Sequence, residues 1–368
     1  MSKNDKMSID VILLTAILIL LVIGVVMVYS ASSIWADYKL GDSFFYLKRQ
    51  ALFAIVGLVL IWGVLKVPYY RMIERSWWIY ILCVVLLIAL FIPGIGMVRG
   101  GAKSWIGVGA FSIQPSEFMK LGMILLLAYL LPKNQKTLGS FLTGFLPFLL
   151  LILFPFGLMM LQPDLGTGVV FVLTGLIMLF VAGGKVNHFL GLGILGLAGF
   201  AGLIISAPYR INRITAFLNP WEDPLGDGFQ IIQSLYAIGP GGLMGLGFGN
   251  SMQKYFYLPE PQTDFIYAII AEELGLIGGT FILSLFLIII WRGFIIAIHA
   301  QELPATLLAT GITSVFMIQV MINISVVIGL IPVTGITLPL LSYGGSSLTL
   351  TLFSLGILLN ISRYAHLR

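Results

Sequence analysis

The chain has 368 residues, of which 59% are hydrophobic and 10% are charged. A typical soluble globular domain has about 25% charged residues, so this composition excludes a soluble globular protein and indicates one that crosses a membrane several times. The formal net charge is +5. The positive excess lies at one set of predicted helix ends, which makes it a signal of membrane topology and not of nucleic-acid binding.

Apolar runs of roughly 20 residues, the length that crosses a bilayer, predict ten transmembrane helices. The first run is expected to remain as a helix and not as a cleaved signal, since it is long and further spans follow. Basic residues favour cytoplasmic N- and C-termini. The predicted fold class is an all-α polytopic membrane protein, with 1–368 as one membrane domain and a long extracellular loop at 207–263 between helices seven and eight. The predicted spans lie near 11–30, 50–66, 77–93, 115–131, 143–161, 167–183, 188–207, 264–290, 305–331 and 338–361.

Cysteine and histidine are scarce in this sequence. The one cysteine, Cys83, lies inside a predicted span, which excludes a disulfide within the chain. All the histidines are assigned to the cytoplasmic side, so a His/Cys metal centre is disfavoured. They are His188, His299 and His366.

Two predicted outer loops carry cations. Lys48 and Arg49 stand where the second helix begins, against the usual bias, so they either reach lipid phosphates or contact a substrate. The glycine-rich stretch 94–107 holds Arg99 and Lys103 close to a Trp, which offers an anion-binding site beside an aromatic ring. A flexible loop with an interfacial Trp is the alternative for this stretch.

Ionised residues open the predicted fourth helix. Pro115 suits the first turn of a helix, and Glu117 and Lys120 share one face because they are three residues apart. Charged side chains inside a span are costly and mark a functional cavity; an ion pair that only locks helices together is the alternative. Asp164 lies in the short turn before the sixth helix, on the same side as Asp264. It can be a helix cap or a support for an active site.

The long loop 207–263 contains the richest polar chemistry. Loops of this length are functional or disordered, and this one is too apolar and aromatic for disorder. A short helix is predicted in it, too short to cross the bilayer, with one face that lies on or dips into the outer leaflet. That face is formed by Ile231, Ile232, Leu235 and Ile238. The candidate polar residues of the loop are Arg210, Arg213, Gln233 and Glu260.

The stretch 257–278 passes from a polar segment into the eighth predicted helix. Pro259 and Pro261 stiffen the segment, and Asp264 stands just before the apolar run that starts at Phe265. Asp264 is therefore predicted at the boundary between water and lipid, at a helix N-terminus where the dipole favours an anionic carboxylate. A helix cap and a catalytic group are both compatible with this position.

Small residues are frequent where the ninth predicted helix passes into the tenth. The stretch 331–347 contains several Gly, Ser and Thr residues. Such residues predict close contact between helices. A main chain that faces a ligand is the alternative.

Six motifs occur in order along the chain. They are Tyr29-Ser30-Ala31-Ser32, QPSEFMK, QPDLGTG, NPWEDP, LPEPQTDFI and LIPVTGITLPLLSYGGSS. This set closely resembles the SEDS family, the polytopic membrane proteins of bacterial shape, elongation, division and sporulation. The resemblance covers nearly the whole chain and is strongest to the division and sporulation branch.

The resemblance implies ten helices and peptidoglycan glycosyltransferase activity. Such enzymes polymerise lipid II at the outer leaflet, usually in complex with a class B penicillin-binding protein that supplies transpeptidation. The resemblance also implies roles for individual residues. It places the family's essential aspartate at Asp264, its Glu/Lys pair at Glu117 and Lys120, and its short-turn aspartate at Asp164.

Under this interpretation Asp264 is a general base that takes the proton of an attacking sugar 4-hydroxyl. The leaving diphosphate needs cations or oriented amides, and the glycine amides around 239–249 and a divalent cation, Mg²⁺ or Mn²⁺, are candidates. Two rival functions are a lipid II flippase and a non-catalytic scaffold. The polar residues at one face disfavour the flippase, and the intact set of charges disfavours the scaffold. The candidate cationic side chains are Arg99, Lys103, Lys120, Arg210 and Arg213.

The resemblance also suggests where the partner binds. Its single membrane helix is expected on the eighth and ninth helices, where Gly293 and Gly311 would allow close approach. A bulky residue at Gly311 is then expected to weaken binding of the partner.

Overall fold

The structure is a computed structural model and describes residues 8–99, 102–108, 111–205, 211, 215–226 and 228–365. Helices dominate it, and one small antiparallel sheet interrupts them. The helices are α1 Val11–Leu40, α2 Phe45–Lys66, α3 Tyr69–Glu74, α4 Ser76–Ala89, α5 Pro115–Lys133, α6 Leu146–Leu161, α7 Leu165–Val181, α8 Val186–Ile205, α9 Phe229–Gly241, α10 Ile266–Ile298, α11 Leu303–Val327 and α12 Gly345–Ser362. The strands are β1 Gly96–Arg99, β2 Ala102–Val108 and β3 Phe111–Ile113.

The helices match the predicted spans in order. Within the described residues, seven helices are long and apolar enough to cross a membrane. Three shorter apolar helices occupy the remaining predicted positions, at Ser76–Ala89, Leu165–Val181 and Val186–Gly199. The all-α polytopic fold class is therefore confirmed, while the count of ten spans stays a prediction.

Several predicted helix ends were wrong. α1 continues to Leu40 and ends at Gly41, whose φ of 68° is left-handed. At the other end of the chain, α11 stops at Val327 and α12 starts only at Gly345. The apolar residues between them do not form helix, because the main chain turns left-handed at Gly329, Gly335 and Leu340.

α10 is broken in its first third. Gly275 has a φ of 66° and a ψ of −166°, which no helix contains. The glycine-rich segment that follows α9, residues 242–249, packs across this break. The amides of Leu246 and Gly247 donate to the carbonyls of Glu272 and Glu273 at 2.9 and 3.0 Å. The Gly247 amide was among the glycine amides predicted as candidates for binding a diphosphate. It is instead used, with that of Leu246, to pair carbonyl groups that the break leaves open.

The stretch predicted as a loop at 94–107 is mostly sheet. β1 pairs with β2 and β2 with β3, all antiparallel, with Gly96 opposite Ile106 and Met97 opposite Trp105. A Cβ atom on Gly96 would lie 2.6 Å from the Lys103 side chain. The missing side chain at Gly96 therefore lets the aliphatic part of Lys103 lie across the sheet, and the expectation of a flexible loop was wrong.

The short helix predicted in the long loop is present as α9. Ile231 and Ile232 are buried, but Leu235 is 37% exposed, so the predicted apolar face is only partly correct. The Ser234 hydroxyl donates to the carbonyl of Val327, at the end of α11, at 2.7 Å. This buried hydrogen bond fixes α9 to the protein.

The two glycines expected to face a partner helix lie inside the bundle. A Cβ atom on Gly311 would come within 2.7 Å of Ile124 and 2.8 Å of Met178, on α5 and α7. One on Gly293 would come within 2.3 Å of Thr313, on α11. These glycines let α10 and α11 pack against their neighbours, so the expectation that Gly311 contacts a partner was wrong.

Candidate active site

Asp264 lies in the turn that precedes α10. The helix begins at Ile266 and its N-cap residue is Phe265, which forms no side-chain cap. Asp264 is therefore not the N-cap residue of α10. Asp264 is half-buried, and a Cβ atom on Gly335 would lie 3.7 Å from its Oδ2 atom. The glycine leaves room beside the carboxylate.

The main chain of this turn is held at three successive residues. The Tyr343 amide donates to the carbonyl of Gln262 at 2.8 Å, and the Ser342 hydroxyl donates to that of Thr263 at 2.6 Å. The Asn323 side-chain amide donates to the carbonyl of Asp264 at 2.8 Å. Hydrogen bonds to three successive main-chain carbonyls therefore fix the main chain that carries the Asp264 carboxylate.

Glu117 and Lys120 form a buried ion pair within α5. Their charged atoms are 2.7 Å apart, and the two side chains are 9% and 5% exposed. Because both belong to α5, the pair does not lock two helices together, and that interpretation was wrong. The pair lines a cavity of about 30 Å³ between α5, α11 and α12, together with Gln319. Gln319 and Asn323 are one helical turn apart, roughly 6 Å along α11, which connects the ion pair to the Asp264 turn.

Asp164 is the N-cap residue of α7. Its Oδ1 atom accepts from the amide of Thr167 at 3.2 Å. Its Oδ2 atom accepts from the side chains of Gln114 at 3.1 Å and Ser116 at 3.3 Å, at the start of α5. Gly166 brings α7 against the carbonyl of Thr334, which a Cβ atom there would meet at 2.8 Å. Asp164 thus caps α7, as predicted, and also joins it to α5, while its role as a support for an active site stays a prediction.

The starts of four helices, α5, α7, α10 and α12, lie close together near the Asp264 turn. Gln114 and Asp164 join the starts of α5 and α7, and the bond between Tyr343 and Gln262 joins those of α12 and α10. The segment that contains Gly335 lies between the two pairs. A helix N-terminus carries the equivalent of about half a positive charge. The convergence therefore favours a polyanionic ligand beside Asp264.

The fold does not place all the other predicted site residues beside Asp264. Arg210 and Arg213 lie outside the described residues. Arg99 ends β1, where its main chain pairs with Ala102, and Lys103 lies across the same sheet. Gln233 is half-buried on α9.

Glu260 belongs to the turn before Asp264. It is exposed and has a left-handed φ of 45°. Its carbonyl accepts from the amide of Thr263 at 3.0 Å and from the Thr263 hydroxyl at 2.9 Å. Glu260 therefore shapes the turn through its main chain.

The two cations at the start of α2 have local partners. Lys48 forms an exposed ion pair with Asp42 at 2.9 Å, and its hydrogen bond holds the pKa of Asp42 below the usual value. The Arg49 guanidinium lies 4.2 Å from the centroid of the Phe45 ring.

Sequence reasoning missed a buried polar cluster at the break of α10, which we call the glutamate clasp: Ser30, Ser251, Lys254, Glu272 and Glu273. Glu273 is fully buried and accepts from Lys254 at 3.1 Å and from the Ser30 hydroxyl at 2.7 Å. Glu272 accepts from the hydroxyl of Ser251 and from the amide of Met252. The signal was present, because adjacent carboxylates inside an apolar helix are costly without partners.

Within the described residues, no group of three or more His, Cys, Asp or Glu side chains is gathered closely enough to hold a metal ion. Mg²⁺ usually takes only one or two protein carboxylates and completes its shell with water and phosphate. Asp264 fits such a limited contribution.

The fold and site define a polytopic helical membrane protein with a half-buried aspartate near the starts of four helices, at one end of the bundle. The family model described as "Cell cycle protein" for FtsW, RodA and SpoVE matches residues 11–367. The chain belongs to this family.

The chain aligns with its relatives over almost the whole length of both proteins. It is 60% identical to stage V sporulation protein E of Bacillus subtilis over 362 residues, 98% of this chain and 99% of the relative. It is 45% identical to "Probable peptidoglycan glycosyltransferase FtsW" of Geobacter sulfurreducens over 353 residues, 96% and 95% of the two chains. The resemblance to the division and sporulation branch is confirmed.

A solved structure gives the same fold. A chain from "Structural coordination of polymerization and crosslinking by a peptidoglycan synthase complex" superimposes with a TM-score of 0.79 at 31% identity. The match covers 96% of this chain and 98% of that one.

Proposed function

We propose that this protein is a peptidoglycan glycosyltransferase that polymerises lipid II at the outer face of the cytoplasmic membrane. The observation that carries the proposal is the position of Asp264, a half-buried carboxylate on a fixed main chain where four helix N-termini meet. A relative named as a peptidoglycan glycosyltransferase supports the reaction class. The similarity to a sporulation protein supports a role in spore-wall or septal synthesis.

In the proposed reaction, the 4-hydroxyl oxygen of one lipid II attacks the anomeric carbon of another sugar unit. A new glycosidic bond forms, the bond from that carbon to undecaprenyl diphosphate breaks, and the hydroxyl proton passes to Asp264. The main chain that carries the base is fixed by hydrogen bonds to the carbonyls of Gln262, Thr263 and Asp264.

The leaving diphosphate gains negative charge as the bond breaks. Oriented dipoles and cations stabilise such charge when they are placed in advance. The N-termini of α5, α7, α10 and α12 supply the dipoles, and Lys120 lies one turn into α5, next to the cavity that it shares with Gln319. A divalent cation bound through Asp264 and the diphosphate would supply further positive charge.

The test is polymerisation of purified lipid II by the purified protein, with and without a cognate penicillin-binding protein. We expect glycan strands whose formation requires the protein. Movement of lipid II across vesicle membranes without glycan formation would favour the flippase and contradict the proposal.

The Glu117–Lys120 pair can be tested by exchange of its two charges. We expect that Glu117→Lys combined with Lys120→Glu does not recover the activity that either single variant loses. The first turn of a helix favours an anion and opposes a cation, and the exchange also removes the cation from position 120. Polymerisation rate and thermal unfolding are measured together. Recovery of most of the wild-type rate would show that mutual neutralisation is the only function of the pair.

For the partner, we propose a class B penicillin-binding protein whose membrane helix packs on α10. The solved complex that this chain resembles couples polymerisation with crosslinking. The most apolar 18 residues of α11 are 72% buried, and those of α10 are 39% buried, so α10 has more free surface. Ile277, Phe281 and Trp291 lie on that surface and are 56%, 51% and 59% exposed.

This placement predicts the outcome of photocrosslinking in membranes. A photoreactive residue at Phe281 is expected to crosslink to the partner's helix. The matched control is Trp78 on α4, which is 77% exposed on a different helix. Crosslinks at Trp78 and none at Phe281 would contradict the placement on α10.

A further inference from the structure

A cavity of about 640 Å³ lies at the ends of α2 and α12 that are far from Asp264. Residues from both ends of the described chain line it, Ser8 on one side and Arg363 and Tyr364 on the other. The last turn of α2 contributes Trp62 and Lys66. Nothing in the proposed reaction uses this cavity.

The cavity is positively charged. None of its eight lining residues is acidic, and in the part of the chain that the structure describes neither Lys66 nor Arg363 forms an ion pair. The Lys66 ammonium lies 3.2 Å from the centroid of the Trp62 ring, and the Arg363 guanidinium donates to the carbonyl of Leu65 at 2.6 Å. Both cations retain donors for an anion.

The walls of the cavity are held by buried hydrogen bonds. The Asn360 side chain donates to the carbonyls of Val64 and Val67 at 2.8 and 3.0 Å, which joins the end of α2 to α12. Asp10, next to the lining residues, pairs with Arg292 at 2.7 Å. The site is therefore built by the fold before any ligand binds.

The cavity is at the level of a membrane surface. α2 has 22 residues and is roughly 33 Å long, about the thickness of the hydrocarbon core. Its other end carries Gln50, which donates to the carbonyl of Ser342 near the Asp264 turn. The cavity and the Asp264 site therefore lie at opposite membrane surfaces.

An apolar stripe on α2 leads from the lipid core to the cavity. Ile55, Val59 and Trp62 are 60%, 59% and 62% exposed, and their spacing places them on one face of the helix. Trp62 belongs to the stripe and to the cavity, and Trp prefers the interface between lipid tails and headgroups. A free anion would bind the cations of the cavity but would have no acyl chain to contact the stripe.

We propose that this cavity binds the phosphate headgroup of an anionic membrane phospholipid. The phosphate lies between Lys66 and Arg363, the hydroxyls of Ser8 and Tyr364 are available to the headgroup, and an acyl chain follows the stripe on α2. Basic pockets of this kind between membrane helices suit anionic headgroups. The basic residues near this end place it on the cytoplasmic side, where anionic lipids attract them.

The experiment measures phosphatidylglycerol bound to the purified full-length protein by native mass spectrometry in a mild detergent. We expect one tightly retained lipid in the wild type and about fivefold weaker binding in Lys66→Gln. Arg363→Lys keeps the charge and is expected to retain more lipid than Arg363→Gln. Phosphatidylcholine is expected to bind more weakly than phosphatidylglycerol.

Lys133→Gln is the matched control. Lys133 ends α5 at the same side of the protein and lies 3.4 Å from the centroid of the Tyr129 ring, but it does not line the cavity. We expect no change in lipid binding. Equal losses in Lys66→Gln and Lys133→Gln, or equal retention of phosphatidylcholine, would overturn the proposal. If inorganic phosphate stabilised the protein against thermal unfolding as much as the lipid does, the ligand would be a free phosphate and not a lipid.

Discussion

Asp264→Asn is expected to lower the rate of glycan polymerisation by a factor of about 10²–10⁴, the usual contribution of a general base. Asparagine has nearly the same shape and cannot accept the proton at neutral pH. The bonds from Asn323, Ser342 and Tyr343 reach main-chain carbonyls, so the turn is expected to keep its position. The measurement is the initial rate of polymerisation of lipid II, with the unfolding temperature measured on the same preparation.

Asp42→Asn is the control for this variant. Asp42 is an exposed carboxylate in the loop between α1 and α2, paired with Lys48, and its loss is expected to leave the rate close to that of the wild type. An Asp264→Asn protein that polymerises at the wild-type rate would remove Asp264 from the general-base role. A variant that lost activity and also unfolded would instead assign Asp264 to stability.

The order of the helices was predictable from the apolar runs of the sequence. A chain inside a bilayer must pair every main-chain polar group, and a helix does so within itself. Where the chain is apolar but not helical, this reasoning fails. The segment between α11 and α12 is as hydrophobic as its neighbours, yet Gly335 and Leu340 have left-handed main chains. Hydropathy indicates which residues are buried, but it does not indicate the main-chain conformation of those residues.

The site was predictable in part for a related reason. Asp264, Asp164 and the Glu117–Lys120 pair stand out, because ionised residues near lipid are expensive without a use. Their partners do not stand out. Asn323 and Ser342 are ordinary small polar residues, and their hydrogen bonds to the Asp264 turn join positions 59 and 79 residues apart. Such pairings are set by the packing of whole helices.

The glutamate clasp is the clearest case of this limit. Ser30 and Glu273 are 243 residues apart in the sequence and 2.7 Å apart in the structure. The sequence of α10 shows that two carboxylates are present in a span and therefore need partners. It does not show that Lys254 and Ser251, from the segment that crosses the break of α10, supply them.

Glu273→Gln is expected to destabilise the protein by about 3–5 kcal/mol, the usual effect of breaking a buried ion pair. Lys254 is 4% exposed, and the substitution leaves its charge buried without a carboxylate. The segment that crosses the break is then expected to open, which raises hydrogen exchange between residues 241 and 254. Because this segment leads into the Asp264 turn, we also expect a lower polymerisation rate. Unfolding in detergent and hydrogen exchange are the measurements.

Two further variants separate the charge from the hydrogen bonds. Lys254→Met combined with Glu273→Gln removes both charges, and we expect it to recover much of the lost stability because no unpaired charge is buried. Glu272→Gln makes the same chemical change one residue earlier, and its effect is expected to be smaller. There the carboxylate accepts from Ser251 and Met252 and forms no ion pair with any residue that the structure describes. A double variant no more stable than Glu273→Gln would show that hydrogen bonds, and not the paired charges, hold the segment on α10.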